Sequence, residues 1–191
     1  EEYASFVRLY PDSPYADEAY QAIYHLWFSD FSEKELSTFR AAFPRSPLMS
    51  KAESMVNSAA GTVKHYPILS KERLYGFVAH DGKVILRPTY DFVDDFSSSV
   101  AMVGRGDKIS YIDIEGKLLM PFVWEDGMPF KRELAVVIKG DEMAVINKVG
   151  GVIIPSGYDN IYLDETSPIL TERDGVYRFY SRVGKPLYGE Y

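Results

Sequence analysis

"HDGKVILRPTYDFV" (residues 80–93) is answered thirty-four residues later by "IEGKLLMPFVWEDG" (114–127), then by "KVGGVIIPSGYDNI" (148–161), and near the chain's end by "RVGKPLYGEY" (182–191). Laid out in rows of thirty-four, the columns agree without a gap. Gly82, Gly116, Gly150 and Gly184 share one column. Tyr90, Trp124 and Tyr158 share another, each followed by an acid, Asp91, Glu125 or Asp159. Phe77, Tyr111, Val145 and Phe179 form a third, with Val78, Ile112, Ile146 and Tyr180 beside them. Ala101, Ala135 and Ile169 form a fourth, followed by Met102, Val136 and Leu170. A fixed period of this length marks a structural repeat.

The columns read as strands and turns. The glycine column lies between short runs of Val, Ile, Phe and Tyr, where a residue with positive φ closes a tight hairpin. The runs are too short for helices. A second turn follows the alanine column, at "GRGDK" (104–108), "KGDE" (139–142) and "ERDG" (172–175). One unit is therefore strand, turn, strand, turn, strand and a looser stretch, with units near 74–107, 108–141, 142–175 and 176–191. Three short strands cannot bury both faces alone, so neighbouring units must cover one another. The aromatic column is expected in the core between repeats, with ligand stacking by Tyr90, Trp124 and Tyr158 as the alternative. The last unit stops short of that column, which leaves an edge needing a cap or a partner.

The run "YGFVAHDGKVILRPTYDFVDDFSSSVAMV" (75–103) resembles the bacterial WG repeat: an aromatic with Gly, then Asp-Gly-Lys, a hydrophobic run with Pro, Tyr-Asp, Phe and a small-Ala-hydrophobic strand. Tyr75-Gly76 stands where that family has Trp-Gly. The pair is lost in later copies, at Ile109-Ser110, Met143-Ala144 and Tyr177-Arg178. The resemblance implies an antiparallel β array over 73–191 and carries no catalytic residues to transfer.

The first sixty residues echo at a step of thirty-three. "FVRLYPDSPYADEA" (6–19) returns as "FRAAFPRSPLMSKA" (39–52). Ser-Pro at 13–14 and at 46–47 marks helix starts. Pro11 and Pro44 end the preceding helices. Four helices are expected, near 1–9, 14–29, 32–43 and 47–60. This stretch resembles tetratricopeptide-type hairpins, especially those of bacterial envelope lipoproteins, which implies a helical scaffold over 1–62. Residues 61–72 are expected as a junction. The fold class is thus α+β, with helical hairpins ahead of about three and a half β repeats.

Composition narrows the function classes. Of 191 residues, 46% are hydrophobic and 15% aromatic, ample for a core. The net charge of −7, with no basic segment, argues against a nucleic-acid partner. The absence of cysteine removes thiol catalysis and thiolate metal sites. No apolar run is long enough to span a membrane. His25, His65 and His80 have no metal-ligand spacing. The acidic pairs at 94–95, 125–126 and 164–165 are adjacent, so on extended chain their carboxylates diverge. "RGD" at 105–107 has "KGD" (139–141) as its repeat equivalent, which makes it a turn. "DIEG" (113–116) lacks the rest of a calcium-ligand series. The sequence therefore points to a non-catalytic module without metal or cofactor that binds another protein, with glycan binding as the alternative. The helical resemblance favours the cell envelope or periplasm over the cytoplasm.

Overall fold

The computed structural model describes residues 2–59 and 65–187. The chain divides into two compact units, Glu1–Val63 and Lys64–Tyr191.

The first unit holds α1 (Glu2–Leu9), α2 (Ala16–Trp27), α3 (Glu33–Ala42) and α4 (Met49–Ala59). α1 packs on α2 and α3 on α4. Apolar residues recurring on one face supply the core, with Val7, Ala19, Ile23, Phe28, Phe39, Phe43 and Ala52 all buried. Each Ser-Pro step precedes its helix by a short turn: Ser13 Oγ accepts the Tyr15 N–H and Ser46 Oγ the Leu48 N–H. Helices α2 and α4 accordingly begin two residues after the prolines. Between α2 and α3 the chain reverses at Phe31, whose φ is +52°. That turn is held by a cap: Ser32 Oγ accepts the Glu35 N–H, and the Glu35 carboxylate accepts the N–H groups of Ser29 (3.0 Å) and Asp30 (3.2 Å). Burial, reinforced by the Asp30 carboxylate, pushes the Glu35 carboxyl above its usual value.

The second unit is a stack of four antiparallel sheets. The first is β1 (His65–Leu69), β2 (Tyr75–Ala79) and β3 (Val84–Tyr90). The second is β4 (Phe92–Val93), β5 (Val100–Arg105) and β6 (Lys108–Asp113), extended by single bridges from β6 to Leu118 and Trp124. The third orders β7 (Asp126–Gly127), β8 (Leu134–Lys139), β9 (Glu142–Asn147) and β10 (Val152–Tyr158). The fourth is β11 (Asn160–Tyr162), β12 (Ile169–Arg173) and β13 (Val176–Tyr180), with a bridge from Tyr180 to Pro186. Each sheet therefore takes its closing strand or strands from the start of the next sequence period.

Strand β1 corrects one expectation. Residues 65–69, read as junction, pair along their whole length with β2, in the place that β5 and β8 occupy beside β6 and β9. The array thus begins at His65 rather than at 73. The echo did not show this because the longer β1–β2 connection shifts the register by one, so that Tyr66, opposite Val78, stands where Ala101 stands opposite Ile112. Residues 61–64 of the expected junction lie outside the described residues.

Alternation along the strands gives every sheet two apolar faces. Call the face toward the preceding sheet leading and the other trailing. Between the first and second sheets, trailing Phe77 and Tyr90 meet leading Ala101, Val103 and Ile112. Between the second and third, Ile109, Tyr111 and Met120 meet Ala135, Val137, Ala144 and Ile146. Between the third and fourth, Leu134, Val136, Val145 and Ile154 meet Ile161 and Ile169. The alanine column is small because a bulky trailing residue lies opposite it.

Candidate interaction surface

The glycine column turns each hairpin with φ of +81°, +81°, +78° and +79° at Gly82, Gly116, Gly150 and Gly184. It has a second duty that the period alone did not reveal. A Cβ on Gly116 would stand 2.9 Å from the Ile85 carbonyl oxygen, and one on Gly150 would stand 3.2 Å from Met120 Cβ. On Gly184 it would run into the Ile153 carbonyl. The Gly116 and Gly184 tips therefore lie against the last strands of the preceding sheets, β3 and β10, and the Gly150 tip against the segment that follows β6. Gly82, in the first sheet, has nothing within 4 Å of that position.

The acids after the aromatic column have a shared role. Asp91 Oδ2 accepts the Gly106 N–H at 2.7 Å, Glu125 Oε2 the Gly140 N–H at 2.8 Å, and Asp159 Oδ2 the Asp174 N–H at 2.8 Å. Each caps the second turn of its own unit, where Gly106 and Gly140 have φ of +60° and Asp174 has +51°. "RGD" is one of these turns. The Gly140 N–H, together with Lys108 at 2.9 Å, holds the Glu125 carboxyl below its usual value.

Asp113, Asp94 and Asp164 are likewise engaged with nearby backbone. Asp113 Oδ1 accepts the N–H groups of Glu115 and Lys117, and Asn147 Oδ1 those of Val149 and Gly151, so "DIEG" is a side-chain-capped hairpin. Asp94 accepts the Asp95 N–H, and Asp164 those of Thr166 and Ser167. His65 Nε2 lies 3.0 Å from the Ile114 carbonyl, with its ring against Phe96. His80 is exposed in the first hairpin, and His25 lies edge-on to Tyr24. Among the described residues, no three His, Asp or Glu side chains come together as a metal site. No described helix is long and apolar enough to cross a membrane.

The "SSS" at 97–99, read as part of a loose stretch, is a tight turn with φ of +51° at Ser98 and +66° at Ser99. Ser97 Oγ donates to the Phe130 carbonyl at 2.8 Å, and Ser98 Oγ accepts the Arg132 N–H at 2.8 Å. Arg132, one period on, turns in the same way, with φ of +62°. A further tie joins the last two sheets. Arg182 Nε meets Glu133 Oε1 at 2.5 Å, while its Nη1 donates to the Asp164 carbonyl and its Nη2 to that of Lys131.

The aromatic column lies on the trailing faces. Tyr90 is buried, and its ring and that of Phe122 share the Arg105 guanidinium at 5.2 Å. Trp124 is half-buried against the cluster between the second and third sheets. Tyr158 is half-buried against the next cluster, its hydroxyl 2.8 Å from that of Tyr180. Among the described residues, an exposed aromatic face lies on the last sheet. Within β11–β13, Tyr162, Leu170, Tyr177 and Phe179 share the trailing side of the last sheet. Phe179 is 37% exposed, whereas Phe77, Tyr111 and Val145 of its column are at 1%, 0% and 0%. Tyr177 is 44% and Tyr162 52% exposed. The periodic columns already contained this surface, because each position that packs against a following unit has a counterpart in the last one.

Comparison with known families agrees with this architecture. Residues 75–108 and 109–142 match the family of WG containing repeats, one repeat each. No curated protein matches the chain.

Proposed function

We propose that this chain, which carries two WG-containing repeats at 75–142, is a non-catalytic module that binds a protein through its repeat surface. The reading rests on one observation: the trailing face of the last sheet keeps the apolar columns of the interior sheets but is open to solvent at Tyr162, Tyr177 and Phe179. Aromatic side chains grouped on an exposed face are the composition that protein interfaces favour. The Asp91, Glu125, Asp159 and Asp164 carboxylates are held in turns, His65 lies on a backbone carbonyl and His25 on an aromatic edge, which supports a role other than catalysis.

A photoreactive phenylalanine placed at Tyr177 tests the reading. Protein adducts at this position, absent when the label sits at exposed Tyr10 of the helical unit, support it. A titration of Trp124 emission in a Trp27→Phe background, run against a glycan panel, tests the alternative. A sugar-dependent shift together with no adduct at Tyr177 overturns the protein reading.

A further inference from the structure

We infer that the outer edge of β1 is a strand slot for an extended segment of another protein, one in which an acidic residue is followed two positions on by an apolar residue. The inference goes beyond the protein-binding reading of the last sheet and concerns the first.

The array itself shows what belongs in this place. In the second, third and fourth sheets the strand of the alanine column, β5, β8 or β12, carries a short antiparallel strand on its outer side, β4, β7 or β11. In the first sheet β1 holds the same place beside β2, yet among the described residues it is the outermost strand. By the register of β1 against β5, residues 57–58 would stand where Phe92 and Val93 do, and they belong to helix α4. The edge is therefore open within the chain, because the residues before it fold as helix.

The edge offers the backbone groups that such a strand uses. Met102 and Gly104 of β5 turn their carbonyls outward, to the N–H groups of Asp94 and Asp91, each at 2.9 Å. Val136 and Ile138 of β8 do the same for Met128 and Glu125, each at 2.9 Å. By register, Pro67 and Leu69 stand at these two positions in β1. The N–H and C=O of one residue point to the same side of an antiparallel strand. Pro67 therefore lacks only an outward donor and keeps the outward carbonyl. The proline also blunts the edge against long, indiscriminate pairing, which suits a short occupant such as the two-residue β4.

Two features select the occupant. Each strand in this place follows an acid, Asp91, Glu125 or Asp159, that caps the adjacent turn. In the first sheet that turn is the loop 70–74, where Lys71 and Arg73 are exposed beside one acid, Glu72. An incoming carboxylate meets an excess of positive charge there. Two residues after the acid come Val93, Gly127 and Ile161, paired with Val103, Val137 and Thr171. Half-buried Ile68 holds the corresponding position in β1, with exposed Tyr66 on the same face. An apolar residue opposite Ile68 is a cross-strand neighbour of both.

The β4 segment supplies a probe: a free peptide of residues 89–95, Thr-Tyr-Asp-Phe-Val-Asp-Asp. Added to the full chain, it is expected to protect the Leu69 amide from exchange, read residue by residue by nuclear magnetic resonance, and to leave β13 unchanged. Peptides carrying Asp91→Lys or Val93→Asp are expected to bind about fivefold more weakly or worse, the scale of one lost contact. Leu69→Pro in the chain removes the outward donor and is expected to weaken the unmodified peptide to the same degree. Pro67 shows that β1 accepts a ring on this side, and unchanged near-ultraviolet circular dichroism checks that the variant is folded. No binding, protection in β5 instead of at Leu69, or an affinity indifferent to Leu69→Pro would each overturn the slot. Leu69 protection that grows with chain concentration in the absence of peptide would overturn it too, by giving the edge to a second copy. The label at Tyr177 reads a different sheet, so this inference and the protein-binding reading can each fail alone.

Discussion

The acid column is the smallest feature with a definable contribution. Asp91, Glu125 and Asp159 each accept one turn N–H in a turn of left-handed backbone. Replacing Asp91 with alanine leaves the Gly106 N–H to water, and is expected to lower stability by about 1 kcal/mol, the usual cost of losing a side-chain cap. Urea unfolding followed by circular dichroism measures it. Glu125 adds a pH dependence. Its folded pKa lies below the ordinary 4.5, so its stabilisation is complete above that value and is lost as the pH falls through the lower folded one. Glu35 works in the opposite sense: its raised pKa makes the protonated form favoured by folding, and its contribution falls as the pH rises through the folded value. Acid titration of Glu125→Gln is expected to reduce the first limb, which Asp30 and Asp164 share, and to leave the second. The glycine column separates two costs. Gly82→Ala and Gly116→Ala both force a Cβ into the left-handed region, at about 1–2 kcal/mol. Only Gly116→Ala also meets a neighbouring sheet, so it is expected to destabilise more than Gly82→Ala in thermal unfolding.

Pairs of sheets depend on a few buried groups. Tyr111 is fully buried in the layer between the second and third sheets, where its hydroxyl donates to the Met128 carbonyl at 2.9 Å. Burial, with the Asp126 and Asp94 carboxylates, pushes its phenol well above the usual range, so it stays neutral as a donor. Tyr111→Phe keeps the ring and leaves that carbonyl without its partner, at about 1–2 kcal/mol, read from the denaturation midpoint. Arg182 binds Glu133 and the Lys131 carbonyl just before β8 and the Asp164 carbonyl in the loop after β11. A lysine cannot reproduce that fork. Arg182→Lys is therefore expected to raise amide exchange in β11–β13 while leaving β4–β6 unchanged.

Across the β unit, stability is a sum over neighbouring sheets, because each core joins only two of them. Ile146 belongs to the layer between the second and third sheets, and Ile169 to that between the third and fourth. Truncating either to alanine is expected to cost about 2–4 kcal/mol. The distribution should differ: hydrogen exchange is expected to rise on both sides of Ile146→Ala, but mainly in the terminal sheet for Ile169→Ala. Uniform exchange throughout the array in both variants would show a single cooperative block instead.

The thirty-four-residue columns determined the repeat and the hairpin turns, and the thirty-three-residue echo with its Ser-Pro steps the four helices to within a few residues. These follow from local rules, since positive φ, Ser-Pro starts and alternating apolar runs act over a handful of positions. Tertiary structure decided the rest. It made His65–Leu69 a strand, because pairing with β2 outweighs the weak signal of a proline-bearing segment. It gave the acid column to backbone turns fifteen residues downstream and turned "SSS" into a tie between units, neither of which has a signature within one turn of chain. It also set the aromatic column between sheets while leaving Phe179 open, since burial depends on whether a neighbouring sheet lies opposite. A column states which face a side chain is on; only the packed array states what that face meets.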